Sequence, residues 1–227
     1  MTINKAFSKD LLNFLKEIKE NNQREWFNEH KVEYKKLESD AQQNLNTLFE
    51  ALKTHDDVDK VKMFRIYRDV RFSKNKAPYK THFSGSFRRK KPELRGGYYL
   101  HIQPNNESFI AVGFWEPSKE DLMRIRKELE MDDEEIRSII NAKDFKAIWG
   151  DFTGEELKTA PRGFDKEHKA MDLIRKKQYI FTKSFTDQQV ISSNFLDEVN
   201  RSFKACRPFF DYMSSVLTTD INGEPLI

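Results

Sequence analysis

Between Arg65 and His82 the chain concentrates side chains suited to holding an anion. Arg65, Arg68, Arg71, Lys74, Lys76 and Lys80 alternate with Tyr67, Asp69, Tyr79 and His82. Arginine offers a planar fork of donors matched to carboxylate or phosphate, and lysine adds a compact charge. Tyr67 and Tyr79 can stack on a ring or donate a phenolic hydrogen bond. Asp69 lies between Arg68 and Arg71, which lowers its pKa and keeps it ionised. Such a carboxylate is a poor general base near neutral pH and a better orienting group for Arg68 or Arg71. The expected anion contacts are therefore Arg65, Arg68, Arg71, Lys76 and Lys80. Asp69 is the orienting carboxylate, Tyr79 a hydrogen-bonding or stacking group, and His82 an adjacent candidate.

A structural reading competes with this one. If Phe64, Ile66, Val70 and Phe72 form the buried face of a strand, Arg68 falls on that face and Asp69 or a helix acid satisfies it. The same residues then make an internal Arg–Asp–Tyr network, because ion-pair networks imitate functional sites. Two observations favour the anion site. Ser73 to Lys80 keeps adding cations where a network needs acceptors, and the stretch lies between elements, where binding residues concentrate. A second segment, Leu157 to Phe164 followed by His168, contributes Lys158 and Arg162, which could close the site. Pro161 and Gly163 also suit an ordinary turn there. His101 is a weaker candidate.

Charge supports the same focus. Residues 60 to 95 hold 13 Lys or Arg against Asp69 and Glu93, a local net of +11, while the rest of the chain carries −8. A focused positive field attracts anions, although acidic helices elsewhere could neutralise it.

Several chemistries are excluded by pattern. Only eight glycines are present, with neither G-x-G-x-x-G nor G-x-x-x-x-G-K-[ST], so the usual phosphate cradles are missing. The five histidines and one cysteine show no zinc-ligand spacing, and no metal or cofactor is expected. Asp56, Asp57 and Asp59 lack the frame of a calcium loop and are expected to form a solvated acidic turn. Ser84-Gly85-Ser86 lacks the frame of a nucleophile elbow. The longest apolar run, Phe109 to Trp115, is seven residues, against roughly 20 needed to span a bilayer. The N-terminus shows no secretory signal and Cys206 has no partner for a disulfide, so a cytoplasmic protein without membrane partners is expected.

These side chains need a scaffold. Ser8 is expected to cap a helix whose stripe is Leu11, Leu12, Phe14, Leu15 and Ile18. Asn22 and Glu25 resemble a capping box opening a second helix of up to nine turns, through Tyr34, Leu37, Ala41, Leu45, Leu48 and Leu52. Strands are expected near Phe64–Phe72 and Phe83–Arg89, then a hairpin of Tyr98–Gln103 and Ser108–Trp115 around Pro104-Asn105-Asn106-Glu107. On its first arm Leu100 and Ile102 share one face, and Tyr99 and His101 the other. Helices follow from Ser118, Asp132 and Lys166, then a strand at Gln178–Phe185 and a terminal helix from Asn194 to Leu217. Grouped helices around grouped strands predict α+β: one domain over 1–227, an antiparallel sheet packed by helices.

The stretch R-x-x-R-D-x-R-F, here Arg65, Arg68, Asp69, Arg71 and Phe72, continues through Asn75, Lys76 and Tyr79. It resembles the hallmark of domain of unknown function 2461, an uncharacterised and mainly bacterial family. The resemblance takes in Asn21 to Phe27, and Leu157-Lys158 through Pro161-Arg162-Gly163-Phe164 to His168, about residues 5–215. Lys169 stands where members tend to carry proline. The resemblance implies no activity or cofactor, but it groups Arg24, the arginine cluster and the Lys158–Arg162 loop. The function expected is binding of a phosphate-bearing or other anionic ligand. Alternatives are a phosphoester- or nucleotide-processing enzyme drawing on His82, His101 or His168, a single-stranded nucleic-acid surface, and a structural or protein-interaction module.

Overall fold

The computed structural model describes residues 3–226. Helices α1 (Lys9–Glu20), α2 (Arg24–Glu29) and α3 (Lys31–Leu52) precede strands β1 (Val58–Met63), β2 (Phe83–Arg89), β3 (Gly97–Ile102) and β4 (Ser108–Phe114). Helices α4 (Lys119–Met131), α5 (Glu134–Asn141), α6 (Lys143–Trp149) and α7 (Met171–Ile174) lead to β5 (Tyr179–Phe185). Helices α8 (Asp187–Val190), α9 (Phe195–Ala205) and α10 (Arg207–Thr218) complete the order. The strands form one antiparallel sheet in the order β1-β2-β3-β4-β5. The α+β class with helical ends is as expected from sequence. No helix among the described residues is long and apolar enough to cross a membrane.

Side chains alternate between the faces of a strand, and the pairing registers carry that alternation across the sheet. One face, with Phe83, Phe87, Tyr98, Leu100, Ile102, Ile110, Val112 and Phe181, is buried. Leu45 of α3 lies over Gly85, where an added Cβ would come within 2.6 Å of its Cδ1. Phe203 of α9 and Phe210 of α10 pack on Tyr98 at centroid distances of 4.8 and 5.0 Å. Burying a side chain of this size contributes roughly 1.5–3 kcal/mol, so the aromatic layer binds helices to sheet. The other face carries Lys62, Ser84, Ser86, Gly97, Tyr99, His101, Phe109, Ala111 and Gly113.

The stripe of α1 is buried as expected, and Ser8 Oγ accepts from Leu11 N at 3.1 Å. The β3–β4 turn follows its sequence signal, since Asn105 and Asn106 both adopt positive φ. Asp187 accepts from both of their backbone N–H groups at 3.0 and 2.9 Å, which ties the turn to the start of α8.

Four expectations are corrected. The long second helix is broken at His30, with φ −98° and ψ 11°. The His30 ring stacks on Trp26 at 4.1 Å and its Nδ1 lies 2.8 Å from Trp26 O, which holds the junction outside helical geometry. Asn22 is not a cap, because α2 is preceded by Gln23 and the Asn22 amide is engaged elsewhere. The terminal helix is interrupted between Ala205 and Arg207, since Pro208 lacks the N–H a continuous helix needs and starts α10 instead. Of the acidic turn expected to be solvated, Asp57 and Asp59 are exposed but Asp56 is not. Asp56 is fully buried, with Arg89 Nε at 2.7 Å, Arg207 Nη1 at 2.5 Å and the Tyr98 hydroxyl donating at 2.5 Å.

Candidate functional site

The motif does not form the regular strand its alternation predicts. β1 ends at Met63, and Phe64 N donates to Ser84 O at 2.9 Å as the last regular rung. Pairing resumes in a different register, with Lys80 N on Ile66 O at 2.7 Å and Arg68 N on Pro78 O at 2.9 Å. Between those rungs the second arm is two residues longer than the first, so Thr81 and His82 bulge out. A bulge of this kind re-aims a side chain and turns the strand beyond it. Residues 65–80 thus form an irregular hairpin, closed by the Tyr67–Tyr79 bridge. Ile66 is buried, but Phe72 is 96% exposed and Val70 half-buried, so the apolar face expected here does not exist.

Within this hairpin several cations are occupied. Arg71 grips Asp69 with both arms of its fork, Nε to Oδ1 at 3.0 Å and Nη2 to Oδ2 at 2.6 Å. That bond holds the Asp69 carboxyl below its ordinary range, with the Arg71 backbone N–H and Arg65 adding to it. Arg68 Nη1 donates to Ala77 O at 3.2 Å, and Lys76 Nζ donates to Val70 O at 3.0 Å. Tyr79 is buried with its ring stacked on Phe27 at 4.1 Å, so it is not an accessible stacking group. An internal Arg–Asp–Tyr network was the reading that competed with an anion site at this motif; a buried network of that composition is found at Asp56, Arg89, Arg207 and Tyr98.

The positive field is only partly neutralised. Of the 13 cations between residues 60 and 95, Arg71, Arg88, Arg89, Lys90 and Arg95 have carboxylate partners. The other eight have none among the described residues. Three of them converge where the hairpin leaves the sheet. Lys62 and Lys80 place their ammonium groups 5.2 and 5.5 Å from the Phe64 ring centroid. Burial, then Arg65, then Lys62 hold Lys80 below its ordinary pKa.

Phe64 packs on Tyr99 at 6.3 Å, and Tyr99 lines a cleft of about 650 Å³ on the less covered face of the sheet. That volume lies within the range of small-molecule sites. Small residues, Ser86, Gly97, Ala111 and Gly113, make its floor, and an added Cβ on Gly113 would collide with the Tyr179 backbone. Its walls are Tyr99, His101, Phe109 and Trp115. The His101 ring stacks on Phe109 at 4.6 Å, and His82 reaches it from the bulge at 4.1 Å. The His101 nitrogens are engaged, Nδ1 with the Tyr99 hydroxyl at 3.0 Å and Nε2 with Gln103 Oε1 at 3.0 Å. His82 has no protein hydrogen-bond partner among the described residues. Burial, then His101 and Lys80, push its pKa down to about 3, so the imidazole is neutral at pH 7.

The expected residues therefore divide. His82 lines the cleft with Lys80 next to it and Arg65 near Lys80, while Arg68, Asp69, Arg71 and Lys76 secure the hairpin. Lys158 and Arg162 are exposed on a loop that pairs with the far side of β5 through Thr153 on Ile180, and with the segment before it through Leu157 on Arg175. β5 is the edge opposite β1, so this loop does not meet the motif. His168 accepts from Ala170 N and is a turn residue. Lys62, Ser86, Tyr99 and Trp115 were missed as site residues. For Ser86 and Tyr99 the signal was the alternation of small and aromatic residues on one face of β2 to β4; Lys62 on β1 and Trp115 after β4 carry no such pattern.

A family model described as a conserved hypothetical protein, domain of unknown function 2461, matches residues 10–212. The chain belongs to that family. No curated protein and no solved structure matches it.

Proposed function

Within a family whose description names no activity, we propose that this protein binds a phosphate-bearing or other anionic ligand in the cleft on the sheet. The single observation that carries this reading is the convergence of Lys62, Arg65 and Lys80, with no carboxylate partner among the described residues, next to His82 of the aromatic cleft. Like charges gathered this way repel one another, and a bound anion relieves the repulsion. His82, unpartnered and aimed into the same space, adds a neutral imidazole able to donate one hydrogen bond.

Binding is favoured over phosphoester catalysis. A general base works best with a pKa near the operating pH, and an imidazole at about 3 is too weak to deprotonate water effectively. His101 has both nitrogens committed.

The test is an NMR titration of the Lys80 ammonium, assigned by Lys80→Arg, in the presence of inorganic phosphate and of chloride. A phosphate-specific rise of the Lys80 pKa supports the reading. Identical titrations in the two salts would sink it.

A further inference from the structure

The cleft has two chemically different ends. His101 and Gly97 lie four residues apart on β3, about 13 Å at a strand rise of roughly 3.3 Å per residue. His82 lines the His101 end, Lys80 is close enough to act on both imidazoles there, and Lys62 joins Lys80 over the Phe64 ring. At the Gly97 end the chain leaves β4 through Trp115, Glu116 and Pro117. An inorganic oxyanion would fill only one of these ends.

The second end suits a flat ring. Gly97 and Gly113 are cross-strand partners, so no side chain rises from the floor there. Trp115 is 54% exposed and, among the described residues, no other ring or cation stacks on it. Glu116 is exposed with no cation partner among the described residues, and an ionised carboxylate can only accept hydrogen bonds. Its natural counterpart is a group that donates through N–H. Lys91, also without a carboxylate partner there, offers a donor for a ring carbonyl or nitrogen.

We propose that the cleft takes a nucleoside phosphate whose base carries N–H donors, guanine being the best match. The base stacks on Trp115 and donates to Glu116, and the phosphate reaches Lys62 and Lys80. This rests on the anion reading above and adds the ring end to it. Stacking of a base on an aromatic side chain supports an affinity gain of about tenfold.

The experiment is calorimetric titration with guanosine 5′-monophosphate, ribose 5-phosphate and a short single-stranded RNA. The proteins are wild type, Trp115→Ala, Glu116→Gln and Lys62→Ala/Lys80→Ala, each checked by thermal unfolding. The nucleotide is expected to bind about tenfold tighter than ribose 5-phosphate. Trp115→Ala should remove that advantage, and Glu116→Gln should reduce it, without changing ribose 5-phosphate affinity. Glu116→Gln keeps the side-chain shape, so it reports the carboxylate even if the tryptophan variant misfolds. Equal binding of the two phosphates by wild type, lost in the double lysine variant, would overturn the ring assignment and leave the anion reading standing. No binding of either would overturn both. RNA binding that strengthens with length and far exceeds the mononucleotide would overturn the nucleoside phosphate in favour of a nucleic-acid strand.

Discussion

The side-chain amide of Asn22 pairs with both backbone groups of Tyr79. Nδ2 donates to Tyr79 O at 3.1 Å, and Oδ1 accepts from Tyr79 N at 3.0 Å. One residue from the junction of α1 and α2 thus acts as a short strand for the returning arm of the hairpin. With Phe27 stacked on the Tyr79 ring, this clamp fixes the arm that carries Lys80 and His82 towards the cleft. The two most distinctive segments of the sequence, Asn21 to Phe27 and Arg65 to Tyr79, are therefore one structural unit.

Asn22→Ala leaves two part-buried backbone groups without partners and is expected to destabilise the fold by about 1–3 kcal/mol. Urea unfolding measures this directly. A loss under about 0.5 kcal/mol, the range of ordinary surface substitutions, would remove the clamp from the account.

Two aspartates that each pair with arginine should behave oppositely. Asp56→Ala takes from the fully buried Arg89 its close carboxylate partner, and from Arg207 one of two, and is expected to cost roughly 3–5 kcal/mol. Asp69→Ala releases an exposed Arg71 to solvent and should leave the denaturation midpoint unchanged. Equal losses at the two positions would mean that the motif carries the structural network after all.

His82 makes stability depend on pH. The folded imidazole titrates near 3 and an unfolded one near 6.5, so between those values the unfolded chain binds the extra proton. Stability therefore falls as pH drops from about 6.5 towards 3. His101 and His55, also lowered mainly by burial, act in the same sense. His82→Asn should flatten the acid side of a melting-temperature profile. An unchanged slope, or a His82 ring that titrates near 6.5 by NMR, would contradict the burial assigned to it.

Phe72 offers a control on the hairpin. At 96% exposure it supports no core, so Phe72→Ser should unfold within about 0.5 kcal/mol of wild type. A larger loss would show that the hairpin tip packs against something.

Much of this was readable from residue order. Helical stripes, the Asn105-Asn106 turn and the faces of β3 follow from periodicity and turn chemistry, which are local. The motif itself misled, since Phe64, Ile66, Val70 and Phe72 alternate like a strand but beyond the register shift at Thr81–His82 only Ile66 stays in the core, while Phe72 turns out to solvent. Alternation cannot reveal a bulge that depends on the pairing partner. Asp56 misled for a related reason: an acidic run reads as solvated, and only the fold brings Arg89 and Arg207 to it. The basic cluster was visible, but which cations stay without partners depends on Asp57, Asp59 and Asp121 returning to Lys90, Arg88 and Arg95.

The most direct measurement compares two double variants for binding of a phosphate-bearing ligand, with inorganic phosphate and ribose 5-phosphate as probes in calorimetry. Lys62→Ala/Lys80→Ala removes the cations beside the cleft, and Arg71→Ala/Lys76→Ala removes two that secure the hairpin. The account expects wild type to bind, the first variant to lose at least tenfold in affinity, and the second to bind as wild type once its folding is verified. Loss in the second variant with retention in the first would place the anion at the hairpin tip and contradict the assignment of the cleft.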